Sequence, residues 1–261
     1  MYDRFVPELA ERLAAAGFIS AREEAQELRT AAGGDDELLA ALAERRLAGE
    51  PLAWIVGSAE FCGLRVRVAP GVYVPRPHTE GLALHAAGRL PADGIAVDVC
   101  TGSGAVAAVL ADRRPGATVL ATDADERSVA CARANGVDAR IGDLFAPLPA
   151  AVRGRVDVVT AVVPYVPTSE LASLQRDTFA FESHLAYDGG PDGTAVLRRA
   201  LAGAAAVLRP GGAALLELGG EQAGLLAADL GRLGFAVDAL LADEDGDVRG
   251  IEATLARRAV R

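Results

Sequence analysis

Asp98-Val99-Cys100-Thr101-Gly102-Ser103-Gly104 joins an apolar run to a helix-forming one. Ile95–Cys100 reads as a buried strand and Ala105–Arg113 as a helix, so both glycines fall on a strand-to-helix turn. At such a turn the backbone bends tightly, a ligand can approach it closely, and the helix N-terminus favours an electron-rich group. Asp123 ends the next strand-like run, Thr118–Thr122, about twenty residues on, where a carboxylate can accept both hydroxyls of a ribose.

Outward from this turn the chain alternates. Ala139–Ile141, Val156–Val162 and Ala213–Leu218 read as further buried strands, with Glu126–Asn135, Gly193–Leu208 and Glu221–Leu233 as helices between them. Strand–helix alternation predicts an α/β fold with a doubly wound parallel sheet and right-handed crossovers. Phe235–Leu241 and Ile251–Ala256, joined by the acidic turn Asp243–Asp247, predict a closing antiparallel pair. Asp125 is expected to cap the helix after Asp123.

Upstream, apolar residues recur at helical spacing from Val6 to about Ala48: Leu9, Leu13, Phe18, Leu28, Leu38, Leu39, Leu42 and Leu47. Ser20 and Asp35 or Asp36 are candidate N-caps, and Gly33-Gly34 is a break. This predicts a small helical domain over residues 1–58. Residues 59–80 are expected to form a β-hairpin linker, from the alternation in Leu64–Val68 and Val72–Val74 with a turn at Pro70-Gly71. Residues 81–261 would form the ligand-binding domain.

The chain has 261 residues and a formal net charge of -10, with 36 acidic against 26 basic residues. That potential opposes a phosphate backbone or an anionic lipid face, so neither nucleic acid nor membrane is an expected partner. The start, Met1-Tyr2-Asp3-Arg4, leads into a charged amphipathic stretch, and no apolar run is long enough to cross a bilayer. A cytoplasmic location is expected. Cys62, Cys100 and Cys131 are widely spaced and read as small buried hydrophobes, and His78, His85 and His184 share no metal-ligand spacing, so no metal is expected.

The glycine turn with Asp123 fits a nicotinamide dinucleotide as well as S-adenosylmethionine. Asp98 lies inside the first strand, where it can hold the glycine loop or the amino-acid end of S-adenosylmethionine. A dinucleotide fold has no standing use for it. Asp143 follows the third strand, placed to accept the adenine amine, with Leu144 or Phe145 against the ring. The closing antiparallel pair is also foreign to the six-stranded dinucleotide arrangement. These details favour S-adenosylmethionine. Each aspartate has a plainer use as well: Asp98 can satisfy buried amides and Asp143 can cap a turn.

Glu50–Gly57, Glu60-Phe61 with Gly63, and Pro75-Arg76-Pro77-His78-Thr79-Glu80 resemble the linker and hairpin of the bacterial release-factor glutamine methyltransferases, the HemK/PrmC family. The likeness runs on through Asp98–Gly104, Gly142–Phe145, Glu182, Asp188–Gly193, Leu208–Gly212, Glu217-Leu218-Gly219 with Gln222, and Gly246 with Arg249. The resemblance implies a class I methyltransferase domain, a seven-stranded sheet with its last strand antiparallel, preceded by a helical domain that helps hold the acceptor. It implies methyl transfer from S-adenosylmethionine to a glutamine amide in the Gly-Gly-Gln segment of a translation release factor. On that analogy Thr101, Gly102 and Gly104 line the methionine portion, Asp123 the ribose and Asp143 the adenine, while Arg76 and Thr79 border the pocket.

One motif departs from the family. Its Asn-Pro-Pro-Tyr aligns with Val162-Val163-Pro164-Tyr165. An amide nitrogen is a poor nucleophile that must be oriented, and the Val162 side chain cannot accept a hydrogen bond. Backbone carbonyls near Val162, Val163 and Pro164 remain, and Tyr165 can pack the acceptor. Three readings follow: a glutamine methyltransferase with a diverged acceptor site, an N- or O-methyltransferase of a small molecule or another peptide, and a non-catalytic cofactor-binding homologue.

Overall fold

The computed structural model describes residues 5–174, 181–243 and 245–256. Met1–Arg4 of the charged start and Glu244 of the acidic turn lie outside the described residues.

Helices α1 (Phe5–Ala15), α2 (Ala21–Ala31), α3 (Asp36–Leu47) and the short α4 (Leu52–Val56) bury Leu9, Leu13, Leu28, Leu39, Leu42 and Ile55 in a core of their own. Leu38 does not join it and stays exposed. Asp35 caps α3, its Oδ1 accepting from the backbone N–H of Glu37 and Leu38. Ser20 precedes α2 but makes no capping bond. Arg46 crosses from α3 to Glu24 of α2 at 2.6 Å, with its guanidinium over the Phe18 ring, so the charge is both paired and desolvated.

The hairpin differs from the sequence expectation. Its strands are β1 (Ser58–Phe61) and β2 (Leu64–Arg67), paired antiparallel about a turn at Cys62-Gly63, and Val72–Val74 forms no strand. Both turn residues are left-handed, at φ 51° and 78°, the backbone that a two-residue hairpin turn requires. Pro70-Gly71 instead bends an irregular segment whose Val72 carbonyl accepts the Trp54 indole N–H at 2.9 Å.

After α5 (Glu80–Arg89) come β3 (Ile95–Val99), α6 (Ala105–Arg113), β4 (Thr118–Asp123), α7 (Glu126–Ala134), β5 (Asp138–Ile141), β6 (Val156–Ala161), α8 (Ala195–Val207), β7 (Leu208–Glu217), α9 (Gln222–Leu233), β8 (Phe235–Ala242) and β9 (Val248–Leu255). The strands form one seven-stranded sheet in the order β5-β4-β3-β6-β7-β9-β8, with β9 antiparallel to both neighbours. Side chains alternate across it. Val97, Val159 and Leu216 pack towards α8 and α9, while Ala96, Val158 and Leu215 pack towards α5, α6 and the hairpin residue Phe61. From β3 the chain moves one way through β4 and β5, then returns to the other side of β3 with β6, and a crevice opens at that reversal.

Candidate active site

A cavity of about 890 Å³ lies at the C-terminal ends of β3, β4, β5 and β6. Thr101, Gly102, Asp123, Asp143, Leu144, Val162, Pro164 and Tyr165 line it from the sheet, and Arg76 and Thr79 line it from the segment before α5. Asp98 and Gly104 do not reach its wall.

Asp98 works beneath the loop. Its Oδ2 accepts the Thr101 hydroxyl at 2.5 Å and its Oδ1 accepts that of Thr160, on the adjacent strand, at 2.7 Å. It therefore ties the glycine turn to β6 from inside the sheet. Burial pushes its carboxyl up to about 6, against the opposing pull of the two hydroxyls. Gly104, at φ 81°, sits against α7: a β-carbon there would lie 2.9 Å from that of Ala132. Its glycine serves helix packing. Gly102, at φ 56°, has no atom nearer than 3.9 Å to such a carbon, so its open side faces the cavity.

Asp123 accepts the Gly102 N–H on Oδ2 and the Asp125 N–H on Oδ1, both at 2.9 Å. Burial raises its pKa, and those amides act against the rise. One lone pair on each oxygen remains for a ligand hydroxyl. Asp125 caps α7 as expected, accepting from Arg127 N. Asp143 is ion-paired with Arg199 and well exposed. Cys100 and Leu144, at φ 55° and 45°, are non-glycine residues in left-handed backbone, and both line the cavity. Burial, followed by the charge of Asp123, pushes the Cys100 thiol up to about 12, so it stays a neutral wall group.

The wall from before α5 hangs on two buried carboxylates. Glu182 accepts the Val74 N–H at 3.0 Å and an Arg76 guanidinium N–H at 2.8 Å, and also bonds the Tyr187 hydroxyl. Arg76 thus borders the cavity with its charge engaged by Glu182 while it stacks over Tyr73. Glu217 is the second anchor. Its Oε2 accepts the Thr79 hydroxyl at 2.5 Å; its Oε1 accepts the Tyr165 hydroxyl at 3.1 Å and lies 3.3 Å from His78 Nε2.

Val162 is half-buried at the cavity, and Val163 inserts into the core beside it. The loop after them is clamped to residues 187–190: Val166 N–H donates to the Tyr187 carbonyl at 2.9 Å, and Gly189 N–H returns to the Val166 carbonyl at 2.8 Å. Gln222 adds a side-chain bond to the Tyr165 carbonyl at 2.6 Å. Sequence reasoning assigned no role to Glu217, Tyr73 or Tyr187. For Glu217 a signal existed: a lone carboxylate ending the apolar run Ala213–Leu216 matches the placement of Asp123 at the end of β4.

A sheet of this order with a crevice at its switch point is the arrangement of a class I methyltransferase. In agreement, the family model Methyltransferase small domain matches residues 64–146. A methyltransferase from Pyrococcus furiosus superposes with a TM-score of 0.54 at 20% identity, over 75% of this chain and 90% of that one, which shows the fold. The release factor glutamine methyltransferase of Moorella thermoacetica is 39% identical over 253 residues, covering 86% of this chain and 87% of that protein. The enzyme of the same name from Mycolicibacterium smegmatis is 41% identical over 192 residues, covering 70% and 68%. The chain belongs to the release factor glutamine methyltransferase family.

Proposed function

We propose that this enzyme transfers a methyl group from S-adenosylmethionine to the side-chain amide nitrogen of a glutamine in the Gly-Gly-Gln segment of a peptide chain release factor. One observation carries the reading: a single cavity is bordered by Gly102, Asp123 and Asp143 on one side and by the 162–165 loop on the other.

The residues present fit the cofactor. Gly102 leaves room for close backbone approach, Asp123 has acceptor capacity for ribose hydroxyls, and Asp143 for an adenine amine, with Leu144 against the ring. Thr101 and Gly102 would border the methionine end. S-adenosylmethionine supplies a methyl group bound to a sulfonium sulfur, an electrophile that needs an aligned nucleophile rather than a strong base. The protein's part is to hold the amide in line, dry and correctly turned. Tyr165, Val162 and Pro164 form the wall against which it would lie. The net charge of -10 suits a protein acceptor better than a nucleic acid. Among the described residues, no helix is long and apolar enough to cross a membrane.

The hydrocarbon surface of Val162 and Val163 favours a second reading, a more nucleophilic amine or hydroxyl on another peptide or a small molecule. Transfer of labelled methyl to a purified release factor, beside a factor whose Gly-Gly-Gln is changed to Gly-Gly-Ala, separates the two. Label that disappears with the glutamine is the expected result. Intact cofactor binding with no label on the release factor sinks the glutamine reading.

A further inference from the structure

Ala161 of β6 pairs with Leu216 of β7, so the next residues, Val162 and Glu217, emerge side by side at the same end of the sheet. Val162, Val163 and Pro164 bring only hydrocarbon side chains to the cavity. The first side chain of this stretch able to accept a hydrogen bond is Tyr165. Glu217, 1% exposed, is a carboxylate that burial tolerates only when fully hydrogen-bonded, and it gathers Thr79, Tyr165 and His78 around it. A tyrosine hydroxyl has one proton and two lone pairs. The Tyr165 proton is committed to Glu217, and among the described residues no donor is bonded to its oxygen. Burial and the Glu217 charge both raise the pKa of this hydroxyl, so it stays protonated. Bound this way, it can serve a ligand in the cavity only as an acceptor.

Resting on the glutamine reading above, the geometry points to the Tyr165 hydroxyl as the group that accepts the hydrogen bond from the acceptor amide N–H, and to the Tyr165–Glu217 pair as the path of its proton. The amide lone pair forms the new N–C bond while the S–C bonding pair returns to sulfur. The amide proton passes to Tyr165 Oη as the Tyr165 proton passes to Glu217 Oε1. Glu217 returns it to solvent through His78, whose Nε2 is 3.3 Å from the same oxygen and whose side chain is 33% exposed. In this scheme Tyr165 orients the amide and takes its proton, and Glu217 is the positioning and relay residue behind it.

The test is kinetic, with binding as a second readout. Tyr165→Phe keeps the ring and removes the hydroxyl; kcat on a release factor is expected to fall roughly ten- to hundredfold. Its S-adenosylmethionine affinity, by calorimetry, should stay within about twofold, whereas a Gly-Gly-Gln peptide should bind several-fold more weakly with S-adenosylhomocysteine present. Glu217→Gln should lower kcat similarly and add little when combined with Tyr165→Phe. Val162→Asn supplies a side-chain acceptor next to the lost one, and in the Tyr165→Phe background it should recover most of the rate, which a purely structural role for the hydroxyl would not allow. A Tyr165→Phe enzyme within about twofold of wild type in kcat overturns the proposal, whether or not Glu217→Gln folds. Wild-type enzyme that leaves the glutamine unlabelled overturns the acceptor reading instead, before any variant is compared.

Discussion

A β-carbon placed on Gly189 would lie 2.7 Å from the Cα of Tyr165. The two backbones touch, and Gly193, at φ 72°, closes on the Tyr165 carbonyl as well. The run Asp188–Gly193 is therefore the template that fixes the height of the 162–165 loop above β6.

Gly189→Ala probes the close approach of this run to Tyr165 without left-handed strain, its β-carbon also falling 2.5 Å from the Gly193 carbonyl oxygen; Gly193→Ala adds the cost of left-handed backbone, about 1–2 kcal/mol. Displacing Tyr165 should lower kcat/KM for the release factor by roughly ten- to hundredfold. The substitutions leave the proposed cofactor residues Asp123 and Gly102 in place, so S-adenosylmethionine affinity should hold within about twofold, and calorimetry separates the two effects. Equal loss of both would mean that the loop and the cofactor wall move together.

The two glycines of the turn should fail differently. Gly104→Ala forces a methyl group to 2.9 Å from Ala132 and 3.2 Å from Val137 at φ 81°, and thermal unfolding should show a loss of about 2–4 kcal/mol. Gly102→Ala points its methyl into the cavity, so stability should fall by only about 1 kcal/mol while cofactor binding weakens roughly tenfold.

Asp98 gives a pH signature. Its folded pKa, about 6, lies above the ordinary 3.8, so the folded protein holds the proton more tightly than the unfolded chain. Its contribution to stability is fully present below pH 3.8, is lost as pH rises to about 6, and the charged form is then a penalty on the order of 2–3 kcal/mol. Urea unfolding of wild type against Asp98→Asn should show the wild type losing ground between pH 4 and 6, with the gap constant above about pH 7. A gap independent of pH would mean that Asp98 is ionised throughout.

Much of this was legible in the chain. Parallel strands buried on both faces leave short aliphatic runs, and helices between them leave capping residues such as Asp125, so the order of elements could be read before the sheet was seen. The hairpin turn was misplaced because Cys62 carries no sequence sign of its left-handed backbone, whereas Pro70-Gly71 carries a strong one that the chain spends on an irregular bend. Gly102 and Gly104 look alike as letters and are separated only by what lies opposite them, Tyr73 in one case and Ala132 in the other. The 162–165 loop is held by partners such as Gln222, 57 residues from Tyr165 in sequence. No local pattern encodes such a contact; the sequence marks Glu217 only as a carboxylate ending an apolar run, and its partners, like the role of Gly189, became visible with the fold.

The bond from Thr79 to Glu217 spans 138 residues. The ribosome therefore makes one wall of the cavity long before the group that fastens it. While β7 is still unsynthesised, residues 73–79 lack one of their two anchors, and the growing polypeptide has no finished cavity for S-adenosylmethionine to stabilise. On the proposed cofactor reading, ligand-assisted folding waits for Glu217, in the last fifth of the chain, so a ribosome stalled before codon 217 should carry a nascent methyltransferase that does not respond to S-adenosylmethionine.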